Sequence, residues 1–203
     1  MLIAVLLGFI QGITEWLPVS SEGIVAVVYS IVARQPMEEA VAYALWLHLG
    51  TALSALTTFR SEVRQIFKEI ITFPRTPSPL LKFLIVSSLT AAIVALPLLR
   101  FFSELSDQFG IGAMGLVGFF MIITGFIQIG KTTPGGRDHR RTNYLDSLLT
   151  GGVQGLAVLP GLSRSGLTIA ILLARGIQRR EALMLSFLMS IPVSIGAAIY
   201  SGL

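Results

Sequence analysis

The stretch Glu15-Trp16-Leu17-Pro18-Val19-Ser20-Ser21-Glu22-Gly23 interrupts an apolar segment that runs from Leu2 to Ala33. A second apolar segment, from Ser147 to Arg175, is broken in the same way between Pro160 and Gly166. Each half of these segments holds roughly 10 to 13 residues, which is too short to cross a bilayer comfortably. The pattern predicts two re-entrant hairpins of half-helices, because irregular backbone at membrane depth is tolerated only where protein or water surrounds it.

The composition is that of an integral membrane protein. Of the 203 residues, 53% are hydrophobic and 13% are charged, and the mean hydropathy is +0.78. Four further segments have the length, about 17 to 22 residues, of a transmembrane helix; they are 40–59, 83–99, 111–130 and 182–203. We therefore expect one all-α polytopic membrane domain over residues 1–203.

Lysine and arginine concentrate in the loops 60–82, 131–146 and 175–181. Basic loops between apolar spans usually face the cytoplasm. The second broken segment begins and ends beside such loops, so it should enter and leave by the inner face, and the first broken segment by the outer face. The formal net charge of +4 therefore comes from loops that orient the protein in the membrane, and we expect no nucleic-acid partner.

The two broken segments resemble each other. Gly8-Phe9-Ile10-Gln11-Gly12-Ile13 aligns with Gly151-Gly152-Val153-Gln154-Gly155-Leu156. Similar hairpins that enter from opposite faces indicate an inverted-topology repeat, whose broken segments meet near the membrane midplane and form the site. The two repeats would cover about 1–146 and 147–203. The first repeat has three long spans and the second has one, so we expect the second repeat to be incomplete. Either the chain is truncated or it is a reduced variant.

The first turn places a carboxylate inside an apolar hairpin. Gln11 and Glu15 are four residues apart and share a helix face, and a carboxylate at such a depth usually faces a cavity and marks a functional site. The alternative for Glu15 is an interfacial position that reaches water. Glu22 is either an auxiliary group or simply solvated, and Ser20 and Ser21 are either ligands or helix caps.

The second turn has the features of an anion site. Glycines let backbone N–H groups approach a ligand, hydroxyls donate hydrogen bonds, and the N-terminus of the following helix adds partial positive charge. The guanidinium of Arg164 suits phosphate oxygens. The alternative for Arg164 is a contact with a lipid headgroup. We expect the phosphate to be bound by Ser20 of the first turn together with residues of the second turn: Gly161, Ser163, Ser165, Gly166 and Thr168.

Cysteine is absent and histidine occurs only as His48 and His139. Thiolate catalysis and cysteine-ligated metals are therefore excluded, and a zinc site is disfavoured. Any metal should be ligated by oxygen. The simplest interpretation of His139 is a solvated loop residue.

The motifs Gln11-Gly-Ile-Thr-Glu15-x-Leu-Pro18-Val-Ser20-Ser21-x-Gly23 and Pro160-Gly161-x-Ser163-Arg164-Ser165-Gly166-x-Thr168 closely resemble the two signatures of the undecaprenyl-diphosphatase family, also called the bacitracin-resistance protein family. The resemblance runs to about Leu203, and family members usually continue for two further helices. It implies a multi-pass plasma-membrane enzyme that hydrolyses polyprenyl diphosphate to the monophosphate and inorganic phosphate. This reaction recycles the lipid carrier of cell-envelope glycan synthesis, including peptidoglycan.

The resemblance also implies residue roles. Glu15 and Gln11 match the acidic pair of the family and would hold a divalent cation, Mg²⁺ or Ca²⁺; Ser21 matches its nucleophile or phosphate ligand, and Arg164 its phosphate-binding arginine. Many members have His where this chain has Ile24. His48 either substitutes for that imidazole from a neighbouring helix or is hydrogen-bonded between helices.

Two other functions fit the same pattern. A polyprenyl-phosphate carrier or flippase would also use inverted hairpins, although transport needs no nucleophile, and an inactive fragment of the phosphatase would explain the short second half. Lipid phosphatases that depend on a Ser-Gly-His motif are excluded because the sequence contains none. We also expect a site open towards the outer face and a possible homodimer.

Overall fold

The computed structural model describes residues 2–17, 19–34, 37–72, 75–109, 111–129, 135–159 and 161–202. Within these ranges the protein is all-helical, with a short 3₁₀ turn at His139–Arg141 and no β-strand. The helices are α1 (Leu2–Thr14), α2 (Ser21–Ala33), α3 (Met37–Thr58), α4 (Arg60–Thr72), α5 (Pro79–Phe109), α6 (Ile111–Ile129), α7 (Tyr144–Leu156), α8 (Arg164–Ala174) and α9 (Arg179–Gly202).

The four predicted long helices are present as α3, α5, α6 and α9. Over the described residues, the stretch Pro79–Phe101 of α5 is long and apolar enough to cross a bilayer. Shorter apolar helices occupy Leu2–Thr14, Ser21–Ala33, Gly115–Ile127 and Arg164–Ala174. The all-helical prediction is confirmed, and within the ranges that the structure describes one of the four predicted spans is long and apolar enough to cross a bilayer.

Both predicted breaks are turns between paired short helices, α1 with α2 and α7 with α8. The second helix of each pair begins inside the predicted break, because a serine caps it. The hydroxyl of Ser20 accepts a hydrogen bond from Gly23 N at 3.2 Å, and that of Ser163 accepts one from Gly166 N at 3.1 Å. These bonds satisfy N–H groups that have no partner within the helix.

The main core lies between α5, α8 and α9 and includes Phe83, Leu172, Leu185 and Met189. Elsewhere the helices leave large apolar side chains exposed; Leu2 is 85% exposed, Ile93 73% and Phe126 70%. Exposed apolar surface on this scale requires an apolar environment or partner. A lipid bilayer supplies such an environment for the partly apolar helical body.

Candidate active site

The turns of the two hairpins lie against each other. The hydroxyl of Ser165, in the first turn of α8, donates to the carbonyl of Leu17 at 3.2 Å. A Cβ atom built on Gly23 would lie 3.4 Å from Gly161 Cα. The contact brings the first turn, with its carboxylate, next to the second turn, with its serines and arginine.

The second turn is held in place by α6. Thr124 Oγ1 donates to the carbonyl of Gly161 at 3.0 Å and accepts from Ser163 N at 3.1 Å. Gly161 has φ of +100°, and a Cβ there would lie 2.3 Å from the carbonyl oxygen of Val117. The position therefore requires glycine, both for its backbone conformation and for its close approach to α6.

Glu15 is the centre of the polar network and is only 5% exposed. Its Oε2 atom accepts hydrogen bonds from Ser21 Oγ at 2.6 Å and from Gln11 Nε2 at 3.0 Å. Its Oε1 atom pairs with Nη2 of Arg164 from the other hairpin. A buried carboxylate with these donors is stabilised as an anion, and its contact with the Ser21 hydroxyl is short enough for proton transfer.

Arg164 is the first residue of α8 and bridges three elements. Besides its contact with Glu15, Nη1 donates to Ser194 Oγ of α9 at 3.1 Å. The guanidinium therefore lies at the N-terminus of α8, where the partial charge of the helix favours an anion. A phosphate at this point would meet the arginine and the capped helix end together.

Two further titratable side chains reach the same place from α2 and α3. His48 Nε2 lies 3.4 Å from Glu15 Oε2, and His48 Nδ1 lies 2.8 Å from the carbonyl oxygen of Ala44. Glu22, in the first turn of α2, is 8% exposed. Both line the cavity in front of Glu15.

This cavity has a volume of about 260 Å³ and two unlike walls. α5 and α9 supply an apolar wall that includes Ala91, Ala95, Leu99 and Val193. The polar wall comes from the two turns and α3, and consists of Glu15, Ser20, Ser21, Glu22, His48, Ser163, Arg164 and Ser165. An amphiphile with an anionic head and an apolar tail fits this division.

Four of the predicted site residues do not line this cavity. Gln11 lies behind Glu15, and Gly161 and Gly166 belong to the backbone of the second turn and of α8. Thr168 is fully buried, with its hydroxyl 2.7 Å from Ser186 Oγ. The structure thus brings the three predicted catalytic residues together and leaves these four around them.

Ser194 and Gln154 also line the cavity, and neither is among the site residues predicted from the sequence. Gln154 is 2% exposed, and its Oε1 has no hydrogen-bond partner among the described residues. The alignment of Gln154 with Gln11 in the two broken segments could have identified it as a site residue. Ser194 lies in the last apolar helix, and the sequence alone gave no sign that it contacts Arg164.

The fold and this cavity define a helical protein in which the turns of two helical hairpins place an arginine, serines and carboxylates opposite an apolar wall. The chain matches the family described as "Bacitracin resistance protein BacA" over residues 4–203, and it belongs to that family.

Relatives of the same family carry the name undecaprenyl-diphosphatase. The protein of Methanococcoides burtonii is 39% identical over 209 residues, covering 98% of this chain and 77% of the relative. The Haloarcula marismortui protein is 38% identical over 97% of this chain and 74% of its own length. The Carboxydothermus hydrogenoformans protein is 38% identical over 97% of this chain and 71% of its own length.

Proposed function

We propose that this protein hydrolyses a polyprenyl diphosphate, of the undecaprenyl diphosphate type, to the monophosphate and inorganic phosphate. The observation that carries the proposal is the Ser21–Glu15–Arg164 arrangement, in which one carboxylate contacts both a hydroxyl and a guanidinium. The name shared by the relatives supports the substrate. In a membrane, this reaction recycles a lipid carrier for envelope glycan synthesis.

The residues divide the reaction between them. Arg164, Ser163, Ser165 and the N-terminus of α8 neutralise and orient the diphosphate. Ser21 either attacks phosphorus or positions the attacking water, and Glu15 accepts the proton, since Ser21 Oγ already donates to it at 2.6 Å. The apolar wall formed by α5 and α9 receives the adjoining part of the prenyl chain.

A divalent cation such as Mg²⁺ or Ca²⁺ is part of the proposal. Among the described residues there is no cluster of three or more histidine, aspartate or glutamate side chains suited to a metal. Mg²⁺ is commonly held by one or two carboxylates together with substrate phosphates, so a larger cluster is not required. Glu15 and Gln11 fit as oxygen ligands, because Gln11 Oε1 is buried without a partner in the described part of the chain. When bound, the cation would supply charge neutralisation at the phosphate oxygens.

The membrane arrangement that we propose is an inverted repeat with two re-entrant hairpins and a cavity open to the outer face. It is supported by the adjacency of the two ends of the α7–α8 hairpin. Arg137 N donates to the carbonyl of Gly176 at 3.1 Å, and Gln178 N donates to that of Arg137 at 2.8 Å. A segment whose ends lie side by side fits entry and exit on one face better than a crossing.

The test is phosphate release from undecaprenyl diphosphate by the purified chain in detergent, with and without chelator. We expect Arg164→Ala and Glu15→Gln each to lower the rate by about 10²- to 10³-fold, the usual effect of removing one charge-stabilising contact. Arg140→Ala is the matched control, because Arg140 is exposed in a loop away from the cavity. Unchanged rates in both site variants would contradict the proposal.

Two results would favour other functions. Lipid translocation into vesicles without phosphate release would indicate the carrier or flippase, and a folded protein inactive in both assays would indicate an inactive fragment. The Ser21–Glu15 hydrogen bond favours hydrolysis, since transport alone needs no activated hydroxyl. The possible homodimer remains a prediction that a measurement of molecular mass in detergent would check.

A further inference from the structure

Helix α4 lies at the end of the molecule where the apolar stretch of α5 begins. Val63 and Ile66 of α4 pack against the main core, whose members include Leu80 in the first turn of α5 and Ile177 between α8 and α9. From Pro79 onwards α5 is long and apolar enough to cross a bilayer. A helix packed beside the first turn of such a span lies at the level of the membrane surface.

The apolar side of α4 is wider than the core that it contacts. Phe67 is 65% exposed, Ile71 64% and Ile70 48%, and we call these three residues the apolar strip. Phe67 lies four positions after Val63, and Ile70 lies four positions after Ile66, so both continue the core-facing side of the helix. An exposed apolar strip at this level fits the boundary between lipid headgroups and acyl chains.

Three cations form a second strip beside the apolar one. Arg60, Arg64 and Lys68 are spaced by four residues, so they share one face of α4, and all three are exposed. Within the part of the chain that the structure describes, none of them has an ion-pair partner. Phe67 lies three positions after Arg64 and is therefore its neighbour on the helix surface. Ile71 has the same relation to Lys68, so this basic strip flanks the apolar strip.

The acidic residues of α4 do not neutralise the basic strip. Glu62 lies two positions from the nearest cations, and side chains two residues apart on a helix do not face each other. The carboxylate of Glu69 is already engaged, since Oε1 accepts from Gln65 Nε2 at 3.1 Å and Oε2 accepts from Ser78 N at 3.0 Å. The three cations are therefore left to pair with anions from outside the protein.

We propose that α4 is an interfacial helix that binds the phosphate groups of anionic phospholipids at the membrane surface. The apolar strip enters the acyl boundary, and Arg60, Arg64 and Lys68 contact the headgroups. A zwitterionic lipid would cover the apolar strip but would bring no net negative charge to the basic strip, so the helix selects anionic lipid. This surface is separate from the candidate active site, because α4 supplies none of the described residues that line the cavity in front of Glu15.

The position of α4 can be measured by spin labelling, because the chain has no cysteine. Phe67→Cys and Gln65→Cys are a matched pair, since both positions are exposed and side chains two residues apart face different ways. In vesicles of phosphatidylcholine and phosphatidylglycerol, we expect the label at Phe67→Cys to collide with dissolved oxygen and to be shielded from a water-soluble nickel chelate. The label at Gln65→Cys should show the reverse. Exposure of both labels to the chelate would overturn the proposal. So would shielding of the Phe67→Cys label from both reagents, which would indicate a protein partner.

Lipid binding is measured by energy transfer from a dye on Gln65→Cys to acyl-labelled lipids, titrated into the protein in uncharged detergent. We expect phosphatidylglycerol to bind more tightly than phosphatidylcholine. Arg64→Gln and Lys68→Gln should each weaken only the binding of phosphatidylglycerol, by roughly fivefold. Arg64→Lys keeps the charge and should keep the preference. Arg100→Gln is the control, because it removes an equal charge from an exposed position at the other end of the apolar stretch of α5.

Equal affinity of the wild-type chain for the two lipids would overturn the proposal, as would a preference that survives the loss of both Arg64 and Lys68. Displacement of the lipid by inorganic phosphate at constant ionic strength would also overturn it, because that result indicates a site for free phosphate. Neither measurement uses phosphatase activity, so a failure of the proposed hydrolysis and a failure of lipid binding by α4 are distinguishable.

Discussion

Two buried carboxylates with arginine partners serve different purposes in this protein. Glu15 is 5% exposed and opens onto a cavity, whereas Asp146 is fully buried. Asp146 accepts from Arg137 Nη2 at 2.6 Å, from Arg175 Nε at 2.7 Å and from Asn143 N at 2.9 Å. Because Asp146 does not line the cavity, its charge has a structural use: it joins the loop before α7 to the end of α8.

Asp146→Asn is expected to destabilise the protein by about 1.5 to 3 kcal/mol at neutral pH, the usual contribution of hydrogen bonds to a charged group. Burial raises the pKa of the Asp146 carboxyl, but the hydrogen bonds from Arg137, Arg175 and Asn143 outweigh it and hold that pKa below its ordinary value. The stabilisation is therefore complete above the unfolded pKa of about 3.9 and is lost as the pH falls through the lower folded value. Thermal unfolding in detergent at several pH values measures the difference.

The control for this prediction is Asp138→Asn. Asp138 caps the 3₁₀ turn through one hydrogen bond to Arg140 N at 3.1 Å, and asparagine caps equally well. It should change the unfolding midpoint little at any pH. If Asp146→Asn were as stable as wild type at pH 7, or if the gap between them were the same well below pH 4, the structural role assigned to Asp146 would be wrong.

At the residue scale, the sequence was sufficient to predict those site residues whose charge conflicts with an apolar surrounding. Glu15 and Arg164 were found because a charge within an apolar hairpin is unusual. Ser194 was missed because nothing local distinguishes a serine in an apolar helix, and its partner Arg164 lies about 30 residues away in the chain. Asp146 was missed as well. Its contacts with Asn143 and Arg137 are local, whereas its contact with Arg175, about 30 residues away, forms only in the fold.

At the scale of helices, the aligned glycines of the two hairpins have different surroundings. A Cβ atom at Gly151 of α7 would lie 2.4 Å from the carbonyl oxygen of Ser87, and one at Gly155 would lie 2.6 Å from Val94 Cβ, both on α5. Cβ atoms at Gly8 and Gly12 of α1 would have no neighbour within 4 Å. Small residues let α5 approach α7 closely, as in other membrane helix pairs.

Gly151→Ala and Gly8→Ala therefore form a matched pair with opposite expected results. Gly151→Ala should destabilise the protein by about 1 to 3 kcal/mol, since the added methyl group meets the α5 backbone. Gly8→Ala should be neutral or stabilising by up to about 1 kcal/mol, because alanine is the better helix former. Unfolding midpoints of the two variants in the same detergent decide the matter, and equal shifts would contradict the packing described for α7.

Apolar periodicity and helix-breaking residues predicted the positions of most helices correctly. They predicted the helix boundaries less accurately. The loop 60–82 was expected from its charges, yet α4 occupies Arg60–Thr72. Its apolar residues Val63 and Ile66 recur at helical spacing and pack against the main core. A basic amphipathic helix and a basic loop share one composition, and periodicity rather than charge separates them.

At the scale of the whole molecule, a re-entrant hairpin requires that both of its ends lie on the same side of the membrane. The chain enters α7 and leaves α8 at adjacent points, where Arg137 and Ile177 form an isolated β-bridge. Two helices of 13 and 11 residues are each shorter than the roughly 20 residues that a single crossing needs. The pair therefore should not carry the chain across the bilayer.

Single-cysteine labelling tests this sidedness directly, because the chain has no cysteine of its own. Arg140→Cys and Arg179→Cys flank the α7–α8 hairpin at exposed positions. We expect a membrane-impermeant maleimide to label both only after cell lysis, because the arrangement that we propose places the basic segments around them on the inner side. Leu2→Cys and Arg34→Cys flank the α1–α2 hairpin and should both be labelled in intact cells. Labelling of Arg140→Cys and Arg179→Cys from opposite sides would show that α7 and α8 cross the membrane together. Labelling of all four positions from one side would contradict the inverted-topology repeat, although both hairpins could still be re-entrant.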